Sequence, residues 1–345
     1  MNTFYPMLKA FSRVRSSRVK HLGVLAFYLA KKRYLGLFLD PTQACNLKCR
    51  MCYFSGESHR RPDRSLLSLD DYKAMADAVF HRVLRLQIGC GAEPTLYPHL
   101  PELVRLAKEK GVPNISLTTN GNLLDGGKLD KLIDAGLDEL ILSVHGLTRS
   151  TYEYLMQHAQ FDKFLALLDG IRQVKSRHQG FSLRINYTVN EDNVEELALF
   201  PKVFEGLKVD VLQVRPVQNL GDSDYKNFNL DKVKQCYDNV FGLLTEYARR
   251  HDTLLIVPSK ANICAMTGGG GNRKRNKVER TYTGLDACLR PPRLPLAARL
   301  RLPHRHVREV LQAQRLFEGG HVGRVAVRKV YSQRHVCYKT IELYS

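Results

Sequence analysis

The stretch Cys45-Asn46-Leu47-Lys48-Cys49-Arg50-Met51-Cys52 places three cysteines within eight residues. It follows the apolar run Leu35–Leu39, which predicts a β-strand, so the cysteines lie on the loop that leaves the carboxyl end of that strand. Three thiolates this close together can bind three irons of a [4Fe–4S] cluster and leave the fourth iron without a protein ligand. The alternative is a zinc site completed by Cys90 or by a histidine. The stretch therefore predicts a metal centre at the end of the first strand.

Short apolar or β-branched runs recur after this stretch, separated by segments with apolar residues at three-to-four spacing. Six strands that alternate with helices predict a parallel sheet with right-handed crossovers. A closed barrel of this kind has eight strands, so we expect an α/β fold with an open, partial (β/α)6 barrel that resembles a TIM barrel. The predicted strands are Leu35–Leu39, Leu84–Ile88, Ile115–Thr118, Glu139–Val144, Leu183–Val189 and Val211–Val214, with a short addition at Leu254–Val257. The predicted helices are Leu69–Arg82 (capped by Ser68), Leu100–Lys110, Leu123–Ala135, Phe161–Lys175, Val194–Phe204 and Leu230–Arg250.

The net charge of +19 is distributed unevenly along the 345 residues. Residues 1–39 hold eight Lys and Arg and no acidic residue, and residues 260–345 hold 18 Lys and Arg against five acids. Residues 40–259 hold 27 basic and 29 acidic residues, which is typical of an ordinary, slightly acidic globular body. The four glycines Gly268–Gly271 and the basic residues after them mark a further change of composition. We therefore expect a basic helical segment at 1–34, the barrel at 35–259, and a basic, irregular extension at 260–345 that is degenerate or partly disordered.

The N-terminal segment contains the apolar run Leu22–Ala30, which is shorter than the roughly 20 residues needed to cross a bilayer. The basic stretch Arg13–Lys20 precedes it, as in a signal peptide, but Lys31-Lys32-Arg33 follows it without a small-residue cleavage site. We expect a basic amphipathic helix here, with peripheral membrane contact as the alternative. Clustered cysteines in a chain without an export signal favour a metal site in a reducing cytoplasm over disulfides.

The C-x3-C-x2-C pattern of Cys45, Cys49 and Cys52 resembles that of the radical S-adenosylmethionine (radical SAM) enzymes. The resemblance extends over roughly residues 35–220, and that family has a six-stranded partial barrel. The residue before the third cysteine is commonly aromatic in the family, whereas here it is Met51. The resemblance implies that Cys45, Cys49 and Cys52 bind a [4Fe–4S] cluster and that S-adenosylmethionine is the second cofactor.

Other strand ends carry residues that resemble the family's cofactor-binding motifs. The segment Gly91-Ala92-Glu93-Pro94 is similar to the Gly-Gly-Glu-Pro motif, which holds the amino group of S-adenosylmethionine. Thr119-Asn120-Gly121 is similar to a Thr-Asn-Gly step, and Ser143-Val144-His145-Gly146 stands where many relatives have Ser-x-Asp-Gly in contact with the ribose. Arg184 is a candidate partner for the cofactor's carboxylate, because a guanidinium pairs well with that group. The candidate cofactor-binding residues are therefore Gly91, Glu93, Pro94, Asn120, Ser143 and Arg184.

The same positions also have structural interpretations. Glu93 can be a solvated residue of an ordinary strand-to-helix turn, and Asn120 and Gly121 suit a plain left-handed turn. His145 can be a loop histidine with a local hydrogen bond, and Arg184 an exposed residue near a strand start. Side chains that we expect to shape a pocket at the barrel mouth are Tyr53, Tyr97, Tyr187 and Arg215.

Radical SAM enzymes that mature peptides or proteins often continue into a cysteine-rich C-terminal extension of the SPASM or twitch type, which carries auxiliary clusters. Here Cys264, Cys288 and Cys337 are the only cysteines after residue 260, so the extension resembles a degenerate one. Residues 290–345 hold 12 Lys and Arg against three acids and have little pattern, and one hypothesis is that they are translated partly out of frame. The alternatives are a divergent helical tail and a basic surface for an anionic partner.

The resemblance implies an enzyme that reductively cleaves S-adenosylmethionine and uses the resulting 5′-deoxyadenosyl radical to abstract hydrogen from a small-molecule or peptide substrate. It also implies an electron donor, such as a reductase or a flavodoxin-type protein. The alternative is a non-catalytic iron–sulfur or electron-transfer protein, which would not need the cofactor cradle around Glu93. A nucleic-acid partner is disfavoured because the acidic residues outnumber the basic ones in the barrel segment.

Overall fold

The computed structural model describes residues 30, 33, 35–52, 66–218, 223–225, 228–267 and 336–340. Most of its strands belong to one twisted sheet, and two short strands form a separate ribbon. The strands are β1 (Leu35–Leu39), β2 (Lys48–Cys49), β3 (Val83–Ile88), β4 (Asn114–Thr119), β5 (Glu139–Ser143), β6 (Met156–Gln157), β7 (Ser182–Val189), β8 (Val211–Pro216), β9 (Leu254–Ile256) and β10 (Val336–Thr340).

The main sheet has the strand order β10-β1-β3-β4-β5-β7-β8-β9. From β1 to β9 every neighbouring pair is parallel, and only β10 runs antiparallel, against β1. Six consecutive parallel strands, β1 to β8, therefore follow one another in chain order, as the alternation of strands and helices predicts. In the described part of the chain no pairing joins β9 to β10, so the barrel is open. The predicted partial α/β barrel is confirmed.

Helices connect the parallel strands and cover one face of the sheet. They are α1 (Leu69–Val79), α2 (Leu100–Glu109), α3 (Gly126–Asp134), α4 (Arg149–Leu155), α5 (Phe161–Arg177), α6 (Phe200–Val203), α7 (Asp231–Gln235), α8 (Tyr237–Arg250) and α9 (Lys260–Thr267). Short 3-10 turns occur at Phe80–Arg82, Pro94–Leu96 and Glu195–Leu199. The side chains of Ser68, Asp125 and Thr148 accept backbone N–H groups at the starts of α1, α3 and α4, which fixes where these helices begin.

Several helix boundaries differ from the sequence predictions for local reasons. The helix predicted from Leu123 starts at Gly126, because Asp125 caps it. The segment predicted as one helix over Val194–Phe204 divides into a 3-10 turn and α6, where Pro201 occupies the first turn. The helix predicted over Leu230–Arg250 is interrupted at Cys236, between α7 and α8. The ribbon of β2 and β6 was not predicted, because two-residue strands carry no periodicity.

The two faces of the sheet differ in chemistry. On β1, Leu37 and Leu39 are fully buried against the helices, whereas Phe38 on the opposite face is partly exposed. The concave inner face carries polar side chains that bond one another, as when Gln87 donates to the Thr118 hydroxyl at 3.0 Å. Since side chains alternate along a strand, the apolar outer face supplies the core and the polar inner face is left for a ligand.

No helix among the described residues is long and apolar enough to cross a bilayer. The basic helix predicted at 1–34 lies outside the described residues, except for residues 30 and 33. Of the extension predicted at 260–345, α9 and β10 are described, and the rest lies outside. The hypothesis that residues 290–345 are translated partly out of frame stays a prediction, as do the domain boundaries at residues 34 and 260.

Candidate functional site

The cysteine loop, residues 40–52, leaves the carboxyl end of β1 and carries all three clustered cysteines. Cys45 is exposed, and Cys49 and Cys52 are half-buried. The amide of Cys52 donates to the carbonyl of Cys49 at 3.0 Å, which makes a tight turn between the last two. Cys49 pairs with Met156 of β6, and the amide of Arg50 donates to the carbonyl of Leu155 at 2.9 Å. The loop is therefore fixed against α4 and β6.

The three thiols are close enough to influence one another electrostatically. Although part of Cys45 remains accessible, desolvation of its thiol by surrounding protein atoms, together with the negative charges of Glu93 and Cys52, raises the pKa of Cys45 to about 11. Burial also raises the pKa of Cys49, and the charges of Cys52 and Cys45 add to the effect. A cationic metal centre relieves this repulsion because it binds the thiolate form. Three soft sulfur donors on one short loop fit an iron–sulfur cluster.

A site for one metal ion requires all its ligand atoms to surround the same point. Among the residues that the structure describes, no group of three His, Cys, Asp or Glu side chains is arranged to hold a single ion. The zinc alternative requires such a group with a fourth ligand. In a [4Fe–4S] cluster each thiolate binds a different iron, so the sulfurs stand farther apart than around one ion.

Glu93 follows β3 and is only 2% exposed, so its carboxylate is removed from water. Its Oε1 accepts hydrogen bonds from the amide of Thr95 at 3.1 Å and from the hydroxyls of Thr95 at 2.5 Å and Thr119 at 2.6 Å. Its Oε2 accepts one from the amide of Asn120 at 2.9 Å. Burial raises the pKa of Glu93, whereas these four hydrogen bonds lower it by stabilising the ionised form. Because a carboxylate oxygen has two lone pairs, Oε2 can accept a further donor.

Two contacts attach the loop after β3 to the cysteine loop. The amide of Glu93 donates to the carbonyl of Ala44, next to Cys45, at 2.9 Å. The buried carboxylate of Asp40 accepts hydrogen bonds from the amides of Cys90 at 2.7 Å and Gly91 at 3.2 Å. The loop that contains Gly91, Glu93 and Pro94 is therefore positioned by the same segment that carries the cysteines.

A third loop, after β4, joins this assembly through Asn120. Its side-chain Nδ2 donates to Oδ1 of Asn46 at 2.9 Å, and its Oδ1 accepts the amide of Asn122. Gly121 follows with a φ of +78°, and a Cβ there would stand 2.6 Å from Cδ1 of Leu142. The left-handed turn that the sequence suggests for Asn120 and Gly121 is thus present, and it also brings Asn120 to the cysteine loop.

Ser143, Asn186 and Gln213 lie in one row across β5, β7 and β8, because Ser143 pairs with Asn186 and Asn186 with Gln213. Arg184 precedes this row on β7 and is 5% exposed, so it is not the exposed strand-start residue of the structural interpretation. Its Nε donates to Oδ1 of Asn186 at 3.1 Å, and a terminal guanidinium nitrogen donates to Oε1 of Gln213. Both acceptors lie nearer the carboxyl edge than Arg184 itself, so the guanidinium extends toward that edge.

Not every residue that the sequence suggests for the pocket faces it. Tyr97 is 3% exposed and donates to the carbonyl of Leu67, and Tyr187 is 1% exposed and donates to the carbonyl of Asn193. The prediction that these two tyrosines shape the mouth is therefore wrong, because both belong to the apolar packing. Arg215 does lie exposed at the end of β8, and Tyr53 is outside the described residues.

His145 takes the structural role suggested for it. Its Nδ1 accepts a hydrogen bond from the amide of Thr188 at 3.1 Å, and its carbonyl accepts one from the side chain of Asn193 at 2.9 Å. Desolvation of the ring lowers the pKa of His145 to about 4, so the imidazole is neutral at physiological pH. It secures the end of β5 to the end of β7.

Three polar residues around the site were missed by the sequence analysis. Asp40 and Asn46 connect the cysteine loop to its neighbours, and Asn190 donates from Nδ2 to Sδ of Met51 at 2.8 Å. The signal for Asp40 and Asn190 is the same: each is the first polar residue after a buried strand, where parallel strands bring their ends together. Asn190 thus holds the residue that replaces the aromatic side chain common in the family.

Residues 39–200 match the sequence pattern of the Radical SAM superfamily, and they include the cysteine loop, Glu93, Asn120 and Arg184. A probable GTP 3′,8-cyclase of Saccharolobus islandicus (strain L.S.2.15 / Lassen #1) is 31% identical over 218 residues, which cover 62% of this chain and 68% of that protein. The chain belongs to the radical SAM superfamily. Its cofactors are those of the family, a [4Fe–4S] cluster and S-adenosylmethionine.

Other curated relatives match this radical SAM chain over a similar number of residues. A probable GTP 3′,8-cyclase of Metallosphaera sedula is 33% identical over 184 residues, which cover 52% of this chain and 55% of that protein. The chain spans 55 to 62% of the length of the first curated relatives that it matches.

Solved structures of other proteins share the fold. Streptococcus suis SuiB bound to precursor peptide SuiA has a TM-score of 0.54 at 20% identity, covering 66% of this chain and 49% of SuiB. SuiB bound to S-adenosylmethionine has a TM-score of 0.53 at 21% identity, covering 66% of this chain and 50% of SuiB. At these identities the likeness concerns the architecture.

Proposed function

We propose that this chain reductively cleaves S-adenosylmethionine and uses the 5′-deoxyadenosyl radical to take a hydrogen atom from its substrate. The observation that carries the proposal is the contact between the cysteine loop and the Glu93 loop, made by the amide of Glu93 and the carbonyl of Ala44 at 2.9 Å. It joins a three-thiol donor set to a buried carboxylate that can accept an ammonium group. A protein that only transfers electrons has no need of the second element.

In this proposal Cys45, Cys49 and Cys52 bind the cluster and leave one iron without a protein ligand. When bound, the cluster supplies one electron to the sulfonium of S-adenosylmethionine, whose bond to C5′ then breaks and releases methionine. The cysteine loop is fixed against α4 and β6 at the carboxyl edge of the sheet, and its three thiols would hold the cluster there. Fixed ligands of this kind tune a cofactor and orient its reacting atom.

The Glu93 loop would hold the methionine part of the cofactor. The free lone pair of Oε2 of Glu93 supports a hydrogen bond from the ammonium group, and Gly91 lets the backbone approach a ligand without a side chain in between. Pro94 begins a 3-10 turn immediately after Glu93 and limits the freedom of the loop. Asn120 supports the same carboxylate through its amide and reaches the cysteine loop through its side chain.

Ser143 and Arg184, on the inner face of β5 and β7, would hold the ribose and the carboxylate of the cofactor. Ser143 offers a hydroxyl at the end of β5 for the ribose, as the family resemblance implies. Arg184 offers a buried guanidinium whose direct partners are the neutral amides of Asn186 and Gln213, so a carboxylate can approach it as the anionic partner. The two residues lie on neighbouring parallel strands, which brings them to one ligand.

The substrate class is inferred from the names of similar proteins. Radical SAM proteins include some named for GTP cyclisation and one solved with a precursor peptide, so the substrate class is a small molecule or a peptide. The partner that reduces the cluster would be a reductase or a flavodoxin-type protein. We extend to this chain the cofactor chemistry of its relatives, because the matched region, residues 39–200, contains the three clustered cysteines and Glu93.

Anaerobic reconstitution followed by incubation with dithionite and S-adenosylmethionine tests the proposal. We expect about four irons per chain and formation of 5′-deoxyadenosine and methionine. Cys49→Ser should abolish both, because one of three ligands is lost. Cys236→Ser, at the junction of α7 and α8, is the matched control and should change neither. Iron without any 5′-deoxyadenosine would instead favour the non-catalytic iron–sulfur protein.

A further inference from the structure

Arg184 is a buried cation with an unusual set of direct partners. It is 5% exposed, and its two hydrogen bonds go to side-chain amide oxygens, Oδ1 of Asn186 and Oε1 of Gln213. Within the described residues it forms no ion pair with a carboxylate, although the largely buried side chains of Arg85 and Lys175 do so. A buried charge is costly unless an anion or several hydrogen bonds compensate it.

Glu139 is an acidic residue whose pKa burial raises and the charge of Arg184 lowers, and its own hydrogen bond goes to another residue. Its Oε2 accepts a hydrogen bond from Arg85 at 2.7 Å. It begins β5, two residues before Ile141, the register partner of Arg184. The partners of the Arg184 guanidinium lie in the opposite direction, toward the carboxyl edge. Glu139 therefore attracts Arg184 at longer range and leaves that edge to a ligand.

The side chain of Gln213 orients the guanidinium of Arg184 and, because it is neutral, leaves the positive charge of Arg184 uncompensated. It is 4% exposed, stands in register with Asn186, and accepts from Arg184 and from Arg215 through the same oxygen. A glutamate of nearly the same shape would make the same hydrogen bonds and also neutralise Arg184. The amide orients the guanidinium without cancelling its charge.

We propose that Gln213 is a positioning residue that aims Arg184 at the carboxylate of S-adenosylmethionine and keeps its charge available for that group. The inference rests on the proposed function, since Arg184 is there the partner of the cofactor's carboxylate. The new element is that Asn186 and Gln213 are neutral, and that their neutrality strengthens binding of ligands that carry a carboxylate. Asn186 has the same relation to Nε of Arg184 and provides a second, independent position for the test.

The experiment compares two ligands on the reconstituted protein by equilibrium dialysis. One is S-adenosylmethionine, and the other is its decarboxylated analogue, S-adenosyl-3-methylthiopropylamine. Gln213→Glu should weaken binding of S-adenosylmethionine by roughly tenfold to a hundredfold, because a strong charged hydrogen bond has that effect on a dissociation constant. It should change binding of the decarboxylated analogue by less than about threefold. Asn186→Asp should show the same selectivity.

Gln173→Glu, on the exposed surface of α5, is the matched control for added charge and should change neither affinity. The thermal midpoint of Gln213→Glu should equal or exceed that of the wild type, because the new carboxylate pairs with Arg184 in the interior. Equal loss of both ligands, or wild-type affinity for S-adenosylmethionine in both variants, would overturn the positioning role while the proposed function stands. A wild-type protein that binds no S-adenosylmethionine would overturn both.

Discussion

The side-chain amide of Asn120 donates a hydrogen bond to Oδ1 of Asn46 at 2.9 Å. This contact joins the turn after β4 to the middle of the cysteine loop, across 74 residues of chain. Asn120 also donates its backbone amide to Glu93, so a single residue connects the predicted cluster ligands to the predicted cofactor cradle. The cysteine loop is thus held by the barrel and does not depend on its own few residues for its shape.

Loss of this contact should loosen the cluster more than the fold. We expect Asn46→Ala to release iron to a chelator several-fold faster than the wild type, with little change in the thermal midpoint. Asn120→Ala should have a similar effect, and the double variant should be no worse than the more severe single one, because both remove the same hydrogen bond. Additive effects on iron release would show that the two residues act separately.

The strands of this protein could be predicted closely because each is a short apolar run between polar turns. All six central strands begin and end within two residues of the prediction, and Leu35–Leu39 agrees at both ends. The helices were harder at their ends, as Asp125 and Cys236 illustrate, because a cap or an interruption depends on local hydrogen bonds. The ribbon of β2 and β6 depends on contacts between distant residues, and no local pattern reveals it.

The candidate site divides in the same way. The cysteines, Glu93 and Asn120 stood out because their spacing and neighbours resemble known motifs, and the fold brings their loops together. Asp40, Asn46 and Asn190 did not stand out, because each acts on a loop that is 50 or more residues away in the chain. Tyr97 and Tyr187 were misassigned because an aromatic residue near a strand end suits a pocket and a core equally well.

Glu93→Gln tests whether the four hydrogen bonds to this carboxylate stabilise the assembled loops. An amide has one acceptor oxygen, so its NH2 group must face either the amide of Asn120 or the donors at Thr95 and Thr119. We expect a loss of about 1–3 kcal/mol in the free energy of unfolding, because a buried donor is left unpaired. Urea denaturation measures it, with the exposed Glu102→Gln on α2 as the control. A loss of unfolding free energy no larger than that of the control would contradict a stabilising role for the hydrogen bonds of Glu93.

Gly121→Ala tests the tight approach at the turn after β4. The left-handed backbone costs a side chain about 1 kcal/mol, and the new Cβ would also meet Leu142 at 2.6 Å and Leu167 at 2.7 Å. Overpacking of this kind adds about 1–3 kcal/mol, so we expect a total loss of about 3 kcal/mol. Gly206→Ala is the matched control, since its φ is +69° and nothing stands within 4 Å of its Cβ position. If the two variants were equally destabilised, the packing at Gly121 would not matter.

The neutral histidine at the end of β5 should make stability depend on pH below neutrality. Desolvation lowers the pKa of His145 to about 4, against 6.5 for an ordinary histidine. Between these values the unfolded chain binds more protons than the folded one, so this contribution is fully present above pH 6.5 and is lost as pH falls toward 4. From pH 7.5 to 6.0 the expected loss is on the order of 1 kcal/mol. Urea denaturation at the two pH values measures it. His145→Gln retains an acceptor for the amide of Thr188 but cannot titrate, so its stability should fall less over the same interval, and an identical fall in both proteins would assign the pH dependence to other groups.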